Sequence, residues 1–360
     1  MPKILFIASH RKDRAPGQRF RFEQYMDFLS QNGFPNELSH LVSEADDKIL
    51  YTRKNYHKKY LFSLRSLAKR RGDLKRLNDF DIVFIFREAL MTRSTFFEKA
   101  AKAKGKKIVF DFDDAIWLMN ISDANKLFSF MKKPGKTKEL ISLSDMIFAG
   151  NQYLAEYAVQ FNKNVKIIPT TIDTDEYKPE DKTPKDKITI GWSGSITTIQ
   201  HFEYALPFLR ELKAKYGDKI EILVIGDKSY RNEELNITGK PWKKETELSD
   251  LAQIDIGIMP LPDDEWAKGK CGLKGLQYMA LAIPTIMSPV GVNTEIIQDG
   301  ENGFLATTSE EWVEKLSCLI EDETLRTQLG EAGRKTVEDK YSVNALKQTY
   351  LNLFNELMKK

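Results

Sequence analysis

The stretch from Asp255 to Gly291, DIGIMPLPDDEWAKGKCGLKGLQYMALAIPTIMSPVG, constrains the fold more than any other part of the chain. It reads as an apolar strand, a polar basic loop, a short helix and a second strand, the grammar of an α/β domain. From Leu273 the apolar residues Leu276, Met279, Ala280 and Ile283 recur at helical spacing until Pro284 ends the run. The amides of Gly272, Leu273 and Lys274 therefore fall in the first turn, whose donors lie ahead of any intrahelical carbonyl and attract anions. Lys270, Lys274 and Gln277, spaced i, i+4 and i+7, are expected on one face, so one turn would offer two cations and an amide to a ligand. The plain alternative is a surface helix with solvated lysines.

A second motif favours the ligand site. Ile188-Thr-Ile-Gly-Trp192 reads as a buried strand that runs into Ser193, Gly194, Ser195, Ile196, Thr197 and Thr198. A loop of such small residues brings backbone amides close to a phosphate before a helix begins. Thr197 and Gln200 have capping-box spacing, and Pro207 is expected to kink or split the helix that follows. The loop matches neither the dinucleotide fingerprint nor a Walker loop.

Together these loops resemble the donor half of the family 4 retaining glycosyltransferases, of the GT-B superfamily. The resemblance takes in VKIIPTTIDTDEY from Val165, GWSGSITT from Gly191, IDIGIMPL from Ile254, QYMALAIPTIMSPVG from Gln277, NGFLA from Asn302 and LGEAGRKTVEDKYS from Leu329, in family order over the last two thirds of the chain. It implies an α/β chain of two Rossmann-like domains with parallel sheets facing across a cleft. Residues 1–172 would form the acceptor side, 173–187 a linker and 188–342 the nucleotide-sugar side, with a final helix over 343–360 packing back on the first domain. Alternating strands and helices agree with this order. Strands are expected at Lys3–Ala8, Ile82–Phe86, Lys107–Phe110, Met146–Ala149 and Val165–Ile168, then from Ile188, at Ile220–Ile225 and at Asp255–Met259.

With 360 residues, 41% hydrophobic and 30% charged, the chain has the length for two ordinary domains and the composition of a soluble protein. No stretch approaches a membrane span, and Met1-Pro2-Lys3 leads straight into a strand instead of a signal peptide. Two cysteines, Cys271 and Cys318, make neither a disulfide framework nor a zinc site, so a cytoplasmic setting is expected, with Cys271 as a packing residue. The formal net charge of +3 says little, but Lys48 to Arg76 is dominated by basic residues interleaved with Tyr51, Tyr56, Tyr60 and Phe62. That segment fits an ordinary amphipathic helix, with Leu61, Leu64, Leu67, Ala68 and Leu74 as its apolar stripe, or peripheral contact with an anionic membrane. Nucleic acid is not expected as a partner, because no binding module is present.

Ligands of open parallel sheets bind beyond the carboxyl ends of the strands, which gives weight to the loops after Ala8, Phe86 and Phe110. Arg11, Lys12, Arg14, Arg19 and Arg21 follow the first strand and suit an anionic acceptor, such as a lipid-linked pyrophosphate; Arg87 follows another. Asp111-Phe112-Asp113-Asp114 would suggest a metal-chelated nucleotide sugar in a different glycosyltransferase class. The resemblance implies no metal and no cofactor, the diphosphate being neutralised by amides and cations. It also places Asp111 where many members have a histidine near the reacting sugar. There a carboxylate would orient an acceptor hydroxyl, brace the loop or, with its neighbours, cap a helix over Ala115–Met119.

The family commonly has two glutamates flanking a seven-residue gap; here those positions are Gly269 and Gln277. Gln277 would serve the ribose, while Lys270, Asp263, Asp264 or Glu265 would serve the sugar. The resemblance therefore implies glycosyl transfer from a nucleoside diphosphate sugar to a saccharide or lipid-linked acceptor, with retention, in surface polysaccharide or glycolipid synthesis. Lys270, Lys274 and Asp111 would be the catalytic residues. Ser193, Gly194, Ser195, Gly272, Leu273 and Gln277 would bind the donor, and Arg11, Arg14, Arg19 and Arg87 the acceptor. Two alternatives stay open: a non-catalytic nucleotide-sugar-binding subunit and a GT-B sugar-nucleotide epimerase. Trp192 and Trp242 would border the nucleotide or lie in the core.

Overall fold

The computed structural model describes residues 1–50, 55–118, 135–180 and 185–359. The chain divides into two compact units, one formed by Met1–Pro169 with Lys347–Lys360 and the other by Thr170–Leu346. Calls on Tyr51, on Met119 and on residues 181–184 of the expected linker lie outside the described residues.

The first unit holds a parallel sheet of six strands: β1 (Ile4–Ile7), β2 (Asn36–Ser39), β3 (Ile82–Phe86), β4 (Lys107–Phe112), β5 (Met146–Ala149) and β6 (Val165–Ile167), in the order β2-β1-β3-β4-β5-β6. Strands β1, β3 and β5 are buried along their whole length, because helices cover both faces of such a sheet and select unbroken apolar runs. The half-exposed β2 alternates no apolar face, which is why periodicity did not reveal it. Phe6, Phe22, Phe84 and Phe148 form an aromatic core, onto which Tyr350 and Phe354 of the C-terminal Val343–Lys359 helix pack. Tyr350 stacks on Tyr25 at 4.2 Å between centroids and donates to the Arg21 carbonyl at 3.0 Å.

The Tyr56–Arg76 helix reverses the expected burial. Its inner face carries Phe62, Ser66, Arg70 and Asp73, whereas Leu61 and Leu64 are 53% and 47% exposed. The reason is electrostatic. Arg70, wholly buried, donates to the carbonyls of Ala8 at 2.9 Å and Ala89 at 2.7 Å and pairs with Asp73 at 2.9 Å. A guanidinium that satisfies strand-end carbonyls turns a polar stripe inward, and spacing of leucines cannot show that.

The second unit holds another parallel sheet of six strands, β11-β8-β7-β12-β13-β14, built from β7 (Ile188–Ser193), β8 (Ile220–Gly226), β11 (Lys240–Pro241), β12 (Ile256–Met259), β13 (Thr285–Met287) and β14 (Phe304–Leu305). A small hairpin, β9 (Arg231–Asn232) with β10 (Ile237–Thr238), lies beside it in sequence. Pro207 does split its helix: Ile199–Phe202 is followed by a 3₁₀ turn and then by Leu206–Tyr216, with the proline in the first turn, where its missing N–H costs nothing. The Ser309–Glu321 helix opens with a complete capping box from Thr308 and Glu311, and its Trp312 stacks on Phe208. Thr174 and Tyr177, read as the start of a linker, are buried in this unit. Among the described residues no helix is long and apolar enough to cross a membrane.

Candidate functional site

Beyond β7 the chain folds into a tight loop over the end of β8. Gly194 donates to the Ile225 carbonyl at 2.9 Å, and a Cβ on Gly194 would come within 2.2 Å of the Trp192 ring. The expected Thr197–Gln200 capping box does not form. Thr198 closes the loop instead, its Oγ1 accepting the Ser195 amide at 2.9 Å, because the helix starts one residue later. Ser195, Ile196 and Thr197 are exposed at the tip.

The Leu273–Ala280 helix begins at Gly272, whose φ of +68° lies in the left-handed region that favours glycine and where a Cβ would strike Ile296 at 2.3 Å. Its first intrahelical bond runs from Leu276 to the Gly272 carbonyl at 3.0 Å, so the Gly272 and Leu273 amides lie ahead of the helical ladder. One residue ties this helix to the β7 loop. The Tyr278 hydroxyl, wholly buried, accepts the Ser193 amide at 2.7 Å, and the ring lies where Gly257 leaves room: a Cβ there would sit 2.4 Å away. Burial pushes the Tyr278 phenol well up. Lys274 stands with its Nζ 5.4 Å from the centre of the Trp192 ring, at the base of the same loop. Ser193, Gly194 and Lys274 thus share one neighbourhood, with Gly272 and Leu273 immediately ahead of Lys274 in the chain.

The expected stripe of Lys270, Lys274 and Gln277 does not exist. Left-handed Gly272 breaks the periodicity, leaving Lys270 in the preceding turn, 4.9 Å over Trp266. Gln277 points inward at 5% exposure, its Nε2 donating to Glu247 at 3.1 Å and to the Tyr177 hydroxyl at 3.2 Å. Glu247, also buried, accepts from Tyr177 at 2.8 Å and from Trp242 Nε1 at 3.0 Å. So Gln277 is committed to an internal network and not to an open ribose site, and Trp242 belongs to that network. Sequence reasoning missed Glu247, since nothing in KETELSD marks it as different from a solvated acid. Asp264 caps the Glu265–Lys268 turn, and Lys268 pairs with Asp263 and Glu265. Cys271 is buried, as expected of a packing residue.

In the first unit the basic loop is largely neutralised by its own chain. Arg11 and Arg14 grip Asp47 at 2.5 Å and 2.8 Å. Arg19 is buried against Phe20. Arg87, in the left-handed region at φ +60°, holds Asp113 and Asp114 at 2.6 Å each. Those two carboxylates therefore serve Arg87; Ala115–Leu118 forms turns instead of a helix to be capped. Asp111 is wholly enclosed and paired to Arg21 at 2.6 Å, and burial pushes its carboxyl up to about 6 in spite of that guanidinium. Enclosed in this way, the carboxylate is committed to Arg21, the arrangement expected of a residue that braces the loop. Burial holds His10 down at about 4, against the pull of Asp47 and with lesser help from Arg14, Arg87 and Arg11, so it is a neutral imidazole at physiological pH. Among the described residues no group of His, Cys, Asp and Glu is arranged to hold a metal ion.

Comparison with known proteins fits this geometry. Residues 173–336 match the family model for Glycosyl transferases group 1. Over 200 residues the chain is 25% identical to the capsular polysaccharide biosynthesis glycosyltransferase CapM of Staphylococcus aureus, a match spanning 51% of this chain and 51% of that protein. Among solved structures, sucrose-phosphate synthase from Thermosynechococcus elongatus superposes with a TM-score of 0.72 at 12% identity over 100% of both chains. Anabaena HepE, solved in complex with UDP and glucose, gives 0.69 at 13% identity over 99% of this chain and 100% of that one. At such identities the likeness speaks for the fold. Residues 173–336 thus match a Glycosyl transferases group 1 domain, in a chain whose two parallel six-stranded sheets have the GT-B fold.

Proposed function

We propose that this protein is a glycosyltransferase that moves a sugar, with retention, from a nucleoside diphosphate sugar to a saccharide or lipid-linked acceptor in polysaccharide assembly. The observation that carries the reading is the convergence of the β7 loop, the Leu273 helix start and Lys274, fastened by Tyr278. As the bond between the anomeric carbon and the diphosphate oxygen breaks, negative charge grows on the leaving group. Amides and an ammonium already in place stabilise that charge more than the ground state. No metal is required by such a site. Relatives support the donor class: HepE was solved with UDP and glucose, and TarM of Staphylococcus aureus with UDP. CapM supports the pathway by its name.

Lys270 and the acceptor-side arginines take a lesser place in this reading. Each arginine already has a carboxylate partner or an aromatic shelf, so an acceptor must compete with Asp47, Asp113 and Asp114 for them. The competing reading, a non-catalytic nucleotide-sugar-binding subunit, is favoured by one observation: Gly269 has no side chain and Gln277 is locked to Glu247. Incubating the purified protein with UDP-glucose, with and without saccharide acceptors, decides between them. Release of UDP with an α-configured product by NMR is the expected result. Tight nucleotide binding without turnover on any acceptor, including water, would assign the binding role.

A further inference from the structure

Asn293 opens the short Asn293–Ile296 helix that follows β13, and none of its surface is exposed. Its Nδ2 donates to the Ser288 carbonyl at 3.0 Å, and the Ser288 hydroxyl accepts the Leu261 amide at 2.9 Å, so the side chain is fixed to the loops that leave β12 and β13. That bond settles which way the amide faces: its nitrogen is turned to Ser288 and its oxygen away. Among the described residues Asn293 Oδ1 has no hydrogen-bond partner, although it is enclosed. A buried acceptor without a donor is costly, and each one requires an explanation.

The oxygen faces the start of the Leu273–Ala280 helix. It lies 3.6 Å from the point where a Cβ on Gly272 would stand, beside Ile296, whose δ carbon takes the rest of that space. The Gly272 and Leu273 amides lie ahead of the helical ladder and, like the ammonium groups of Lys270 and Lys274, can only donate; Gln277 is committed to Glu247. Asn293 therefore sets a neutral acceptor beside a group of donors. A phosphate does not suit that mixture, because its oxygens accept and a carbonyl oxygen repels them. A hydroxyl suits it, since it accepts and donates at once. With a diphosphate on these amides, as the proposed function has it, the next hydroxyls beyond the phosphates are those of the transferred sugar. Resting on that reading, we infer that Asn293 Oδ1 accepts a hydrogen bond from a hydroxyl of the donor sugar, which makes Asn293 a specificity residue for the sugar and not for the nucleotide. The oxygen is enclosed, so the sugar reaches it as the turn at Gly272 shifts, and a glycine tolerates such a shift best.

Calorimetric titration of the purified full chain separates sugar from nucleotide. The probes are UDP, GDP and ADP, and then the glucose, galactose and mannose conjugates of the nucleotide that binds. Wild type should bind at least one conjugate more tightly than the bare nucleotide. Asn293→Ala should lose roughly tenfold on that conjugate and keep its nucleotide affinity within about twofold. One analogue of the sugar, deoxygenated at C2, C3, C4 or C6, should bind wild type and Asn293→Ala alike. The substitution also removes the bond to Ser288, so melting is followed beside binding, and Asn293→Ser replaces the alanine variant if that one fails to fold. A purely structural role would lower both affinities together or neither. Equal losses on nucleotide and conjugate, no loss on either, or a wild type that gains nothing from any of the three sugars would overturn the inference and leave the nucleotide site standing. Binding of no nucleotide at all would overturn the donor site itself and this inference with it.

Discussion

Tyr278→Phe removes a single oxygen atom from the element that couples the two halves of the candidate site. That oxygen is fully enclosed and accepts the Ser193 amide at 2.7 Å, while the ring fills the space left by Gly257 and is retained in phenylalanine. Losing the acceptor leaves a buried backbone donor unsatisfied, which costs about 1–3 kcal/mol, or roughly 2–10 °C in melting temperature for a unit of this size. Ser193 begins the β7 loop, so a nucleotide must then pay to order what Tyr278 had held, and affinity should fall about two- to tenfold. The control is Tyr350→Phe. Tyr350 is equally buried and donates to the Arg21 carbonyl at 3.0 Å, but it belongs to the first unit. Differential scanning calorimetry with nucleotide titration should show both variants less stable and only Tyr278→Phe weaker in binding. Wild-type affinity in Tyr278→Phe, or an equal loss in Tyr350→Phe, would refute the coupling.

Asp111→Asn should destabilise the protein by about 3–5 kcal/mol, because it strands the buried Arg21 guanidinium, yet leave nucleotide affinity unchanged; a catalytic loss without a stability loss would contradict the bracing role. His10, held at about 4 when folded against 6.5 when free, contributes stability that is present above pH 6.5 and lost as pH falls toward 4. The ceiling on that contribution is about 3 kcal/mol, and His10→Gln should flatten the melting-temperature profile over this window. Gln277→Glu places a second carboxylate 3.1 Å from Glu247 in a buried network, so one of the pair must take up a proton. Its melting temperature should therefore match wild type near pH 5 and fall below it at pH 8; equal melting at both values would show that the pocket is open to water.

Strands legible in the sequence were those whose burial on both faces writes an unbroken apolar run, such as β3 and β5. The β7 loop and the start of the Leu273 helix were legible too, since small residues and a proline stop mark them locally. What escaped depends on partners far apart in the chain. Asp111 meets Arg21 ninety positions away, and Gln277 meets Tyr177 a hundred positions away, so neither bond leaves a trace in spacing. The stripe of Lys270, Lys274 and Gln277 failed because one left-handed glycine resets the helical phase. The Tyr56–Arg76 helix was read inside out because a buried arginine with acceptors on four residues outweighs two leucines, and hydropathy scores them the other way.

The most direct test of the donor site is calorimetric titration of wild type and Lys274→Ala with UDP, GDP and ADP, with and without magnesium. Lys274 is half-buried with its ammonium 5.4 Å from the Trp192 ring, so the melting temperature of the variant is measured beside wild type and the binding comparison is made where both are folded. The expected result is metal-independent binding of one nucleotide by wild type, weakened in Lys274→Ala, with turnover down on the order of a hundredfold. Unaltered affinity and turnover in Lys274→Ala, or binding that demands magnesium, would contradict a site made of amides and a lysine.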